Sequence, residues 1–173
     1  MHIIIGLLTA LGTLLYVMER MRIDIGWLNP WAWKRRRAWS KMATGNPVYG
    51  LDKPIDAIAL IATAAAKIDG DLSIEEKEAL KNIFRNTFNQ SEQEASQLLG
   101  SSVYLLGPGE DVFRSPEKVL QRSLEKFSVE QKKSSMKLLS EIIHVGGSPS
   151  SLQQEFVNKV ERVMNPDDGK NSW

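Results

Sequence analysis

Four times along the chain a serine stands three residues ahead of Glu or Gln, at the head of a run of periodic apolar residues: Ser73/Glu76, Ser91/Glu94, Ser128/Gln131 and Ser150/Gln153. In such a pair the hydroxyl accepts from a free N–H of the first helical turn, and the longer side chain reaches back to the serine N–H. Each pair therefore marks a helix start. Beyond Pro54 the apolar residues recur at helical spacing and no hairpin signals separate the runs, which restricts this part of the chain to an all-α fold. Pro54 opens a first helix, where its missing N–H costs nothing, with Ile55, Ile58, Ile61 or Ala62, and Ala65 on one face. A second is expected from Ser73 to about Phe88, a third after Ser91 carrying Leu98 and Leu99, and a fourth from Ser115-Pro116 to near Phe127. The fifth follows Ser128 and stops at Gly146-Gly147; the sixth follows Ser150 and carries Phe156, Val157, Val160 and Val163. Gly107 to Asp111 reads as a loop.

The starts repeat. Moving the chain by 77 positions lays Ala66-Lys67-Ile68-Asp69-Gly70-Asp71-Leu72-Ser73 over Ile143-His144-Val145-Gly146-Gly147-Ser148-Pro149-Ser150, with Glu76 over Gln153. Each copy is a helix, a glycine turn and a capped helix, and Gly70 and Gly147 are expected in the left-handed region. The expected architecture is a pseudo-two-fold bundle of two helical hairpins bridged by the third and fourth helices.

The first third of the chain is different in kind. From His2 to Met18 no residue carries a formal charge when His2 is neutral. As a helix that run is about 25 Å long, against a hydrocarbon core of about 30 Å, and Tyr16 and the Arg20 and Arg22 stems lengthen it by snorkelling. A cleaved signal would open with basic residues and close with small ones, whereas Tyr-Val-Met-Glu-Arg follows here. An uncleaved transmembrane anchor over residues 1–22 is therefore favoured over a signal peptide or a buried helix. No Lys or Arg precedes the run; seven lie between it and residue 41, against only Glu19 and Asp24. The positive-inside rule then places the N-terminus outside and residues 19–173 in the cytoplasm. Gly6 and Ala10 form a small-xxx-small pair of the kind that lets two such helices approach.

Trp27, Trp31, Trp33 and Trp39 interleave with Lys34, Arg35, Arg36 and Arg37 in a juxtamembrane segment and linker over residues 23–53. Indoles settle at the headgroup boundary, and basic side chains near anionic lipid gain about 1 kcal/mol each, so the bilayer is the expected partner of these eight residues. Packing of some of these rings onto the domain is a structural alternative. Stacking and phosphate contacts would suit nucleic acid as well, but the stretch is short, follows an anchor and precedes a domain of opposite charge. Beyond residue 41 the chain holds 15 basic against 19 acidic residues.

The stretch Asp69-Gly70-Asp71-Leu72-Ser73-Ile74-Glu75-Glu76, following an Ala-rich helix and opening an amphipathic one, resembles the signature of TerB-like domains, the tellurite-resistance family of small helical bundles. The resemblance covers Pro54 to Met164 and rests on Asp69, Gly70, Ser73 and Glu76, with a degenerate echo in the second copy. It implies an all-helical, pseudo-two-fold domain of bacterial stress proteins, membrane-anchored in some cases, with an acidic surface linked to divalent cations. A J-domain, joined to some members, is absent: there is no His-Pro-Asp. The second copy has Gly146, Ser148, Leu152 and Gln153 where the first has Asp69, Asp71, Glu75 and Glu76, so a Ca or Mg ion would draw on Asp69, Asp71 and Glu75, with the Ser73 hydroxyl as a further donor. The segment is not an EF-hand, since the sixth position from Asp69 is Ile74 and the twelfth is Leu80.

With no Cys and only His2 and His144, thiolate chemistry and a His-rich metal centre are excluded. His144 is expected at a helix C-terminus. No Gly-x-Ser-x-Gly elbow or phosphate-cradling loop occurs, and no small-molecule substrate is identifiable. The expectation is a non-enzymatic binding or scaffold module in a membrane-associated protein complex, over residues 54–164, followed by a polar tail at 165–173. A cation-responsive switch and a subunit of an enzyme complex are the alternatives.

Overall fold

The computed structural model describes residues 46–166, which form seven α-helices and two short 3-10 turns, with no strand among the described residues. The helices are α1 (Pro54–Lys67), α2 (Ile74–Phe88), α3 (Glu92–Leu106), α4 (Glu110–Arg114), α5 (Pro116–Leu120), α6 (Val129–Ile143) and α7 (Ser151–Met164). All four serine caps close as full capping boxes, each with the hydroxyl accepting from the N3 amide and the N3 side chain accepting from the serine amide. At about 1 kcal/mol apiece they hold the starts of α2, α3, α6 and α7 in register with the core.

The expected single apolar face on α1 is replaced by burial on every side, from Asp56 to Ala65 without interruption. All six other helices touch it. Its alanines let neighbours come close all round, and Thr63 is accommodated because its hydroxyl donates to the Ala59 carbonyl at 2.7 Å. Phe84 and Leu80 of α2, Leu98 of α3, Leu120 of α5, Leu138 and Leu139 of α6, and Phe156 and Met164 of α7 complete the core.

The fourth expected helix stops early. It ends at Leu120, because the buried Ser123 directs both its amide (2.9 Å) and its hydroxyl (3.2 Å) to the Leu120 carbonyl, which a continuing helix would need. A 3-10 turn at Leu124–Lys126 leads on to Phe127. Within the expected loop, Glu110 begins the five-residue α4 after Gly109, whose φ is 85°. The ring of Phe113 lies over Gly109 and meets Phe156 edge-on, with centroids 6.2 Å apart. Gly70 (φ 150°) and Gly147 (φ 124°) have positive φ but do not end their helices: α1 ends at Lys67 with Ile68 still right-handed, and α6 at Ile143 with His144 right-handed.

The bounds of α1 and α2, moved by 77 positions, fall within two residues of those of α6 and α7. Helix α1 touches α6, and the crossed pairs α2 with α6 and α1 with α7 also touch. Residues 46–53 pack onto the body: Val48 and Leu51 are buried, the Asn46 amide donates to the Asp111 carboxylate, and Lys126 pairs with Asp52 at 3.6 Å. No helix among the described residues is long and apolar enough to cross a membrane. The anchor, the Trp and Arg stretch at 27–39 and the tail from 167 lie outside the described residues.

Candidate functional site

Two concavities sit at opposite ends of α1. The first lies where the two glycine turns meet. Ala66 and Asp69 after α1, Glu76 and Leu80 of α2, Ile143 and Gly146 after α6, and Gln153 of α7 border a cavity of about 140 Å³. Three of its borders are pairs related by the 77-position shift: Ala66 with Ile143, Asp69 with Gly146, and Glu76 with Gln153.

The chemistry of this cavity is unequal between the copies. The Ser150 hydroxyl donates to Asp69 Oδ1 at 2.9 Å, tying the start of α7 to the first turn. The equivalent bond from Ser73 has no acceptor, because Gly146 stands where Asp69 does in the other copy. That glycine leaves room for the acid opposite, since a Cβ at position 146 would stand 3.2 Å from Glu76 Oε1. Glu76 Oε2 is held by the Ser73 amide at 2.8 Å, and Gln153 Oε1 by the Ser150 amide at 3.0 Å. One carboxylate oxygen of Asp69, one of Glu76 and the amide oxygen of Gln153 are thus already engaged.

The three residues expected to ligate a cation are not gathered. Asp69 faces Ser150, exposed Asp71 pairs with Lys67 at 3.3 Å, and Glu75 is exposed on the first turn of α2. Among the described residues no three His, Asp or Glu side chains stand close enough together to hold a metal ion. A hard cation takes six to eight oxygens. The donor set at this turn falls short of that. His144 ends α6 as expected, with its Nδ1–H donating to the Ser140 carbonyl at 2.6 Å.

The second concavity is apolar and measures about 310 Å³. Pro54, Ile55 and Ile58 of α1, Phe88 at the end of α2 and Phe127 before α6 form its floor; Thr87, Glu130, Gln131 and Ser134 form its rim. The starts of α1 and α6 lie together here and their ends together at the first cavity, so these two helices run side by side in one direction, with α2 reversed. Glu130 accepts from the Ser128 hydroxyl at 2.8 Å. Its own backbone amide, first, and that hydroxyl hold its carboxyl below the usual carboxylate range. The rim is therefore negatively charged at neutral pH. Nothing in the sequence signals this hollow, because Phe88 and Phe127 read as ordinary helix-end residues until the fold brings them to one place.

No family model matches the chain, and neither a curated protein nor a solved structure matches it.

Proposed function

We propose that this chain is a membrane-tethered binding module: a TerB-like, pseudo-two-fold helical domain held against the cytoplasmic face of a bacterial inner membrane, where it gathers protein partners in an envelope or metal and oxyanion stress response. One observation carries the tether. The uncharged run from His2 to Met18 is followed, and not preceded, by the seven basic residues of the first 41. The pseudo-two-fold reading is supported by the coincidence of helix bounds under the 77-position shift and by the three related pairs around the cavity at the turns. Binding rather than catalysis is supported by what the two concavities offer. One is apolar with a charged rim; the polar groups of the other are already engaged in caps and in the bond between the copies.

The tether is tested by carbonate extraction of membranes holding the full chain. Retention in the pellet is expected, and release into the supernatant would remove the tether while leaving the bundle intact. A pull-down from the membrane fraction, comparing wild type with the Asp69→Ala/Asp71→Ala variant, tests the plain scaffold. Partners kept by both are expected; partners lost only from the variant would point to a switch at the first turn.

A further inference from the structure

The larger, apolar hollow lies between the starts of α1 and α6 and the end of α2. We propose that the indole of Trp39 seats in this hollow, with the preceding Arg36 and Arg37 at its rim, so that the juxtamembrane segment clamps the domain instead of serving as a free leash. Three observations converge on this. The first is size and chemistry: about 310 Å³ floored by Pro54, Ile55, Ile58, Phe88 and Phe127 takes one aromatic side chain, and stands at the small end of ligand pockets, which run from about 300 to 1,000 Å³.

The second is charge. The rim carries the ionised Glu130, and the last turn of α2 directs its negative end to the same place, so the hollow favours an apolar group flanked by cations. The segment Lys34-Arg35-Arg36-Arg37-Ala38-Trp39 offers that combination. The third is reach. From Asn46, the first described residue, a 3-10 turn at Pro47–Gly50 leads to Pro54 in the floor of the hollow, so the two points are at most about 23 Å apart. Seven chain steps lead from Trp39 to Asn46, which extended cover about 24 Å. The inference does not depend on the tether, since the clamp would form in detergent as well as in a bilayer.

All five tryptophans lie outside residues 46–166, and the chain has no cysteine, so both probes can be placed cleanly. In the full chain carrying Trp27→Phe, Trp31→Phe, Trp33→Phe and Trp173→Phe, the remaining Trp39 is expected to emit at short wavelength and to resist iodide. Ser134→Arg, at the exposed rim, is expected to raise the iodide quenching constant severalfold with the far-ultraviolet circular dichroism unchanged. Cysteines introduced by Ser40→Cys and Ser134→Cys are expected to join within one chain on mild oxidation, and to stop doing so when Trp39→Ala is added. A disulfide-linked dimer would assign the hollow to a second copy. Quenching by brominated lipid, insensitive to Ser134→Arg, would assign the indole to the bilayer. Free access of iodide in the parent would leave the hollow unfilled by this chain. Each of these three results overturns the proposal.

Discussion

Gly109 is the position where the backbone has least choice. Its φ of 85° is unfavourable for any side chain, and a Cβ there would stand 2.5 Å from the Phe113 ring. Gly109→Ala is therefore expected to cost about 2–4 kcal/mol from strain and overpacking together, read as a lower urea midpoint at unchanged slope. The two equivalent caps, Ser73 and Ser150, allow a finer comparison. Each loses a capping bond on mutation to alanine, at about 1 kcal/mol, but only Ser150 also donates to Asp69. Ser150→Ala should exceed Ser73→Ala by about 0.5 kcal/mol, and the excess should vanish in an Asp69→Ala background. The caps were legible in the sequence because both partners lie within four residues. The bond from Ser150 to Asp69 spans 81 residues and was not, since nothing local to either residue anticipates it.

Helix α1 and the break after α5 show where periodicity runs short. An Ala-rich stretch with isoleucines three residues apart reads as one apolar stripe, yet small side chains make every side of such a helix a packing surface. Ser123 reads as an ordinary helical residue until burial turns its hydroxyl onto the Leu120 carbonyl. Between α2 and α3, Lys81 joins two elements, reaching Glu78 at 2.7 Å and Glu92 at 3.4 Å with its side chain 16% exposed. The hydrogen bond to Glu78, first, holds its ammonium above the ordinary 10.5 against the opposing effect of burial, with the charge of Glu78 and the contact with Glu92 adding to it. A group raised on folding contributes fully below its unfolded value and loses that contribution as pH climbs through its folded one. Lys81→Met should flatten the decline in stability that the wild type shows as pH climbs above the ordinary 10.5 of a lysine, measured by urea unfolding at each pH.

Across the whole molecule the core depends on its last helix. Removing α7, in a chain ending at Ser148, strips away buried Phe156, Val157, Val160 and Met164 and takes from Phe113 its aromatic partner. At about 1.5–3 kcal/mol per side chain, that loss is comparable with the whole stability of a domain, about 5–15 kcal/mol. The shortened chain is expected to show no cooperative thermal transition by circular dichroism. The same dependence has a consequence during synthesis. Of the described helices α1 leaves the ribosome first and is enclosed last, since α7 is complete only at Met164. At about 5–20 residues per second, a ten-residue sticky rod waits several seconds for its final wall. Over that interval a nascent chain of this design depends on holding factors or on slow local concentration to escape clumping, and its yield in a cell should track translation speed downstream of residue 67.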